Sequence, residues 1–365
     1  MPQPPLRVDA LSIAPGESGA RGIDRDPTTG YLRLTDPTAP SGLLLRDLAS
    51  LSTLTGVYTV GRGGTGARYS TVSVALGAVP ASASPSAPAV ILVFPGVYSE
   101  TIAWTRNGVT LFALGRVVLE ASTDASTITF SATVPSTPVS ARLVGVTIRN
   151  AYAGRSSVSI LGGNGSTVAG SGIRFEGCTF ESTGDGGYTV SASAVGKLAF
   201  VGCSSAGSSS TASLSLSQVL DLDVRDSDFP ALEISYGESP PIPAGSTGAY
   251  KVSRSSFGPV LATLVSVPVL RFDSVRTGDC TLGGEGTVDF RNCELGGVTV
   301  NDTSSATIRR STHGDLYGAG TIFEDRFRGS LAFTSSNEES VVFDVARPDE
   351  NYSVFLDTGV NSPCR

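Results

Sequence analysis

Ile-Arg-Phe-Glu-Gly-Cys-Thr-Phe (173–180) and Leu-Ala-Phe-Val-Gly-Cys-Ser-Ser (198–205) are two copies of one pattern. It reads apolar, any, apolar, any, any, small or cysteine, any, then often aromatic or aliphatic. Ala-Arg-Leu-Val-Gly-Val-Thr-Ile (141–148) precedes them, and Leu-Asp-Val-Arg-Asp-Ser-Asp-Phe (222–229) and Tyr-Lys-Val-Ser-Arg-Ser-Ser-Phe (250–257) follow. Leu-Arg-Phe-Asp-Ser-Val-Arg-Thr (270–277), Val-Asp-Phe-Arg-Asn-Cys-Glu-Leu (288–295) and Ala-Thr-Ile-Arg-Arg-Ser-Thr-His (306–313) complete the series. The sixth positions, Val146, Cys178, Cys203, Ser227, Ser255, Val275, Cys293 and Ser311, lie 18 to 32 residues apart and average about 24. A repeat of that length, built from short alternating strands with no helical spacing inside it, is one coil of a parallel β-solenoid. Further strands are expected between the copies at Ser157–Leu161, Ser213–Gln218, Leu232–Tyr236 and Val298–Asn301.

Stacking puts equivalent residues of successive coils ~4.8 Å apart. Alternation then aims one outward column through Arg174, Ala199, Asp223, Lys251, Arg271, Asp289 and Thr307. A neighbouring column runs through Glu176, Val201, Arg225, Ser253, Asp273, Arg291 and Arg309. Arg271 is expected beside Asp289, and Asp273 beside Arg291, as opposite-sign ladders of modest strength. The sixth positions form an inward column of small residues suited to a tight corner. Ile148, Phe180, Phe229, Phe257 and Leu295 form a large apolar column next to it.

Composition agrees with this architecture. In 365 residues there are 43 glycines, against a usual ~7%, and charged residues make up only 16%. The 26 Lys+Arg and 33 Asp+Glu leave a formal charge of −7, which excludes a generally basic nucleic-acid binder. One histidine, His313, excludes any site that needs two imidazoles from one chain. Its Ser-Thr-His-Gly-Asp context (311–315) reads as a turn. No cofactor and no metal site is expected. Cys178, Cys203, Cys280, Cys293 and Cys364 lack metal-knuckle spacing and read mainly as free, buried small side chains, with a Cys178–Cys203 disulfide left open by their adjacency in the repeat. The first twenty residues contain Arg7, Asp9 and Glu17 and no apolar core of signal-peptide length, and the most apolar run (87–97) is too short to span a bilayer. The expectation is a protein made in the cytoplasm without membrane insertion.

Ahead of the coils, Ser70 or Thr71 offers an N-cap, with Val72, Ala75, Leu76 and Val79 at helical spacing. This is a short helix placed to cover the open solenoid end. The order Tyr-Ser-Thr-Val (69–72), Val-Ile-Leu-Val-Phe-Pro-Gly-Val-Tyr-Ser-Glu-Thr-Ile (90–102) and Gly-Val-Thr-Leu (108–111) resembles the opening of pectin-methylesterase and pectate-lyase-like β-helices. The resemblance implies an all-β, right-handed parallel β-helix behind an N-terminal capping helix. It implies no activity, because the downstream Gln-Asp-Thr, Asp-Phe-Ile-Phe-Gly and Leu-Gly-Arg-Pro-Trp segments of the esterases are absent. So are the aspartate pairs of polygalacturonases and the Arg-x-Pro-x-x-Arg of the lyases. No catalytic residue transfers.

The flanks resemble bacteriophage fibres and tailspikes. Asp47-Leu-Ala-Ser-Leu (47–51) followed by Val60-Gly-Arg-Gly-Gly-Thr-Gly-Ala-Arg-Tyr-Ser-Thr-Val (60–72) looks like an attachment arm leading into a helix, and Ser340–Asp357 looks like the start of a β-sandwich tip. The organisation expected is an N-terminal arm or attachment region over 1–68, a parallel β-helix over 69–318 and the start of a C-terminal tip or trimerisation domain over 319–365, with continuation beyond Arg365 left open. The function implied is a virion structural protein, a homotrimeric fibre or spike. It would attach to phage capsid, neck or tail proteins through residues 1–68 and meet host cell-surface polysaccharide. A polysaccharide depolymerase on the same scaffold is the alternative. Its carboxylates would come from Asp221, Asp223, Asp226, Asp228 and Glu233, the densest acidic stretch. A secreted adhesin or carbohydrate-esterase relative ranks third. The glycine run 61–66 lacks the Gly-Lys-Ser/Thr of a phosphate loop and reads as a hinge.

Overall fold

A computed structural model describes residues 56–324 except 64, 132–138, 163–167, 184–187, 208–212, 238–248, 266–268, 302–303 and 319–320, with strand backbone also at 10–12, 22–25, 32–36, 39–44, 331–333 and 354–356. Strands Ala10–Ser12, Gly22–Arg25, Leu32–Asp36 and Ala39–Leu44 form an antiparallel meander. The other strands form one hydrogen-bonded system, a parallel β-helix with three walls. Sheet A stacks Val57–Val60, Ala89–Val93, segments 109–113, 140–144, 172–176, 197–201 and 221–225, then Ala249–Ser253, Val269–Asp273, Thr287–Arg291, Ser305–Arg309 and Thr321–Glu324. Sheet B begins at Gly96–Ser99 and narrows to single bridges at Arg276, Glu294 and Thr312. Sheet C runs from Ile102–Trp104 to Leu316–Gly318 and continues through Leu331–Phe333 and Val354–Leu356. The expected β-sandwich tip otherwise lies outside the described residues, as does Cys364.

The register is the one the repeat implies. Ile173, Leu198, Leu222, Tyr250, Leu270, Val288 and Ala306 are successive partners, and both outward columns follow from them. Between sheets A and B the chain turns sharply at the fifth repeat position. Gly145, Gly177 and Gly202 are left-handed there, and so are Asp226, Arg254, Ser274, Asn292 and Arg310, with φ between 45° and 70°. A left-handed residue costs a side chain roughly 1–2 kcal/mol, so the coil geometry outweighs local preference at five of these corners. The N–H groups at these corners tie the coils together: those of Gly177, Gly202, Asp226, Arg254, Ser274 and Asn292 donate to the next coil's carbonyls at 2.8–3.1 Å.

The sixth position explains its own chemistry. The Ser227 hydroxyl donates to the Arg225 carbonyl at 2.7 Å and accepts the Cys203 backbone N–H at 3.1 Å. Ser255 repeats this one coil on, accepting the Ser227 N–H, and Ser311 accepts the Cys293 N–H. A small polar side chain therefore satisfies a buried donor of the coil before it. Cys178, Cys203, Cys280 and Cys293 are free thiols in the core, so the disulfide left open above is not formed. Burial pushes the Cys203 thiol far above its ordinary value and Cys280 up to about 11.

Inside, Trp104 packs on Phe130 and the series continues through Phe175, Phe180, Phe200, Phe229 and Phe257 with ring centroids 5.2–6.3 Å apart. Ser205 occupies the position between Phe180 and Phe229 in the apolar column, and those two rings meet across it at 6.2 Å. The capping helix spans Val72–Ala78, buries Val72, Ala75 and Leu76, and has Thr71 as N-cap. Glu100, the residue after the Gly96–Ser99 strand, accepts the Val72 and Ser73 N–H groups at 2.8 Å and the Ser73 hydroxyl at 2.6 Å. Thus the Glu100 carboxylate ties the helix to the first full coil. Among the described residues no helix is long and apolar enough to cross a membrane.

One expectation needs correction. Arg271 neighbours Asp289, and Asp273 neighbours Arg291, but the ion pairs do not form between them. Arg291 turns along its own strand to Asp289 at 2.6 Å, and Asp273 instead accepts the Asn292 amide at 3.1 Å. Residues i and i+2 share one face, and a long guanidinium reaches that neighbour as readily as the next coil. Ladders across coils do occur elsewhere: Arg149 lies between Glu181 at 2.6 Å and Glu120 at 3.8 Å, and Arg276 meets Glu294 at 2.7 Å.

Candidate functional site

The acidic stretch singled out in the sequence does not converge. Asp221 lies on sheet A, 3.3 Å from Lys197. Asp223, two residues on, is held by Arg225 at 2.7 Å. Asp226 stands at the left-handed corner, where both Arg254 donors reach it at 2.7 and 2.8 Å. Asp228 is on sheet B and accepts the Ser256 hydroxyl, while Glu233 is on sheet C. The hydrogen bond from Arg254 holds the Asp226 carboxyl below its usual range, the opposite of what a general acid needs. His313 is half-buried, with Nδ1 2.6 Å from the Gly314 carbonyl oxygen. Among the described residues no group of three or more His, Cys, Asp or Glu is placed to hold a metal.

A different set of residues forms a concave surface. On the outer face of sheet A, Ser140, Gly172, Lys197 and Asp221 make one column, and Thr110, Arg142, Arg174, Ala199 and Asp223 make the next. The absence of a side chain at Gly172 and the methyl group of Ala199 leave a hollow among Arg142, Arg174, Lys197 and Arg225, walled by Pro85 and Pro88. The cleft holds about 400 Å³. A Cβ placed on Gly172 would touch nothing within 4 Å, so the hollow lies directly above it. Beneath the cations sits Glu176, 2.6 Å from Arg142 and also bonded to Arg174. Burial alone would raise its carboxyl, but the hydrogen bonds from the two arginines outweigh this and hold it below the usual range. The Arg142 Nε is buried without a partner.

A second groove, of about 630 Å³, follows the corner between sheets A and B past Asp226, Asp228, Arg254, Arg276 and Glu294. Its cations close on its own acids, Arg254 on Asp226 and Arg276 on Glu294. The sequence pattern missed the sheet A cleft because Ser140, Gly172 and Lys197 stand one residue ahead of each repeat copy. A glycine there, two residues ahead of an outward arginine, was the available signal.

No protein-family model matches the sequence, and no curated protein does. Among solved structures, the chain is similar to pectin methylesterases. One, crystallised in complex with a hexasaccharide, shares 13% identity over 82% of this chain and 93% of its own, with a TM-score of 0.36. The carrot enzyme shares 12% over 80% and 88%, with a TM-score of 0.33. ORF18 of Geobacillus virus E2 shares 13% over 89% of this chain and 68% of its own, with a TM-score of 0.30.

Proposed function

We propose that the chain is a structural protein of a bacteriophage particle, a β-helical fibre or spike. The arm, expected over 1–68 but giving Val57–Val60 to sheet A, fastens it to a capsid, neck or tail protein, and the coils present a surface to host polysaccharide. The placement of the acids carries this reading. Hydrolysis of a glycosidic bond needs two carboxyl groups roughly 5–9.5 Å apart, one of them kept protonated. Here the acidic stretch is spread over three sheets and a corner, and Asp221, Asp223 and Asp226 each face a cation. Charges spent in this way stabilise a wall. The open surface is the sheet A cleft, whose exposed groups can bind and orient a ligand. The arm, the trimeric state and the tip rest on the sequence resemblance at 47–72 and 340–357.

Mass spectrometry of purified particles of the virus that encodes the chain tests the reading, and its peptides are expected in stoichiometric amounts. Their absence would overturn it. Release of new reducing ends or unsaturated sugars from host polysaccharide, abolished by Asp223→Asn or Asp226→Asn, would replace it with a depolymerase.

A further inference from the structure

We propose that the sheet A cleft is a binding site for an anionic glycan segment, one bearing carboxylate or sulfate groups. The inference rests on the reading of the coils as a glycan-facing surface and names the ligand chemistry and its place. Three observations meet there. The first is vertical order within the ion pairs. The Arg174 side chain is 43% exposed over Glu176 at 15%, Lys197 is 64% exposed over Asp221 at 32%, and Arg225 is 48% exposed over Asp223 at 17%. In each pair the cation is the outer member, so the cleft shows positive charge although the whole chain carries −7. Acids beneath hold the cations in place, and anionic groups of a ligand meet them from above.

The second observation is the shape. From Thr110 to Asp223 the lining crosses five stacked coils, about 19 Å at ~4.8 Å per coil. That length suits an oligosaccharide rather than a free phosphate or a single sugar. Gly172 and Ala199 give a floor onto which a sugar ring can settle. The third is the unused Arg142 Nε, a buried donor at the cleft with no partner among the described residues. A nucleic acid is disfavoured because, among the described residues, no aromatic side chain lines the cleft to stack on bases.

The test is calorimetric titration of the full chain at low salt with four probes: a hyaluronan octasaccharide, a heparin tetrasaccharide, a neutral dextran oligosaccharide and single-stranded oligo-dT. Binding of hyaluronan or heparin is expected, and which of them binds identifies the acid group. The dissociation constant should rise at least tenfold in Gly172→Leu, which fills the hollow from a backbone outside the left-handed region, and in Lys197→Ala. Arg276→Ala, in the corner groove, should bind like the parent. Lys197→Ala removes an exposed side chain and keeps the test valid if Gly172→Leu fails to fold. Binding of neither acidic glycan, equal binding of dextran or oligo-dT, or no change in either cleft variant would overturn the proposal. Particle mass spectrometry separates the two readings. A chain absent from virions that still binds through the cleft keeps the site and loses the fibre, and a virion chain that binds no probe does the reverse.

Discussion

Replacing Glu100 by alanine should loosen the N-terminal end of the solenoid before the rest. The carboxylate is almost fully buried and accepts three hydrogen bonds, two of them from the first-turn N–H groups of the Val72–Ala78 helix. Hydrogen bonds to a charged group contribute about 1.5–3 kcal/mol each, and a buried donor left without a partner costs about 1–3 kcal/mol. Val72 is buried, so its N–H would be stranded, while Ser73 is exposed and water can replace its acceptor. Favourable charge at the helix start adds about 0.3–1 kcal/mol. Allowing for water at Ser73, Glu100→Ala should lose about 3–4 kcal/mol, and Glu100→Gln, which keeps an acceptor without the charge, about 1–2 kcal/mol. In a solenoid such a loss stays local to the neighbouring coils. Trp104, the single tryptophan, is buried in sheet C where the capping helix packs. Urea titration read by Trp104 fluorescence should therefore show an early transition that far-ultraviolet circular dichroism registers only in small part. A change under about 0.5 kcal/mol for Glu100→Ala, or an equal loss for alanine and glutamine, would refute the capping role.

Three further outcomes follow from the corners and the outer wall. Ser227→Ala strands the buried Cys203 N–H and should lower stability by about 1–3 kcal/mol in urea, whereas Ser227→Cys should lose much less, because cysteine occupies the same column at three other coils. Ser274→Gly should gain about 0.5 kcal/mol, the relief of a left-handed side chain less the added freedom of the unfolded chain, and Ser274→Val should lose more than 1 kcal/mol; calorimetric melting reads both. Glu176 is held below its ordinary range in the folded chain, so its ion pairs stabilise at neutral pH and that contribution is lost as pH falls through the depressed folded value. Between about pH 5 and pH 2 the parent's melting temperature should therefore fall more steeply than that of Glu176→Gln, and identical slopes would refute the assignment.

The coil register was legible in sequence because it depends on side-chain polarity at a period of two, and polarity is written in residue type. Leu222, Tyr250 and Leu270 had to stack once their neighbours alternated. The fifth position was not legible. Gly177, Asp226, Arg254, Ser274 and Asn292 share no chemistry, only a left-handed backbone that the stacked coils impose. Glu100 was visible within the 90–102 stretch, but its role depends on a helix 28 residues earlier in the chain. The ion pairs failed for a further reason: strand register fixes where a Cβ stands, and a long guanidinium still chooses between a partner along its strand and one across the coils, as Arg291 does. The cleft was hidden because it is made by what Gly172 and Ala199 lack.

Acid and base differ in reach, and this decides the sign of the wall. Aspartate and glutamate are short and settle near the strands, whereas arginine and lysine lay their methylene stems over them and keep the charged head in water. Columns of nearly balanced charge on a parallel β-helix therefore show a cationic outer layer, whatever the net charge of the chain. Whether that layer can meet a ligand depends on the residues between the pairs. At the corner groove the partners Arg254 and Asp226 are both well exposed and close on each other. On sheet A the acids are sunk and the intervening positions are glycine and alanine, which leaves the arginine and lysine heads facing an open hollow. Two small residues thus separate a wall that only holds itself together from one that can also hold an anion.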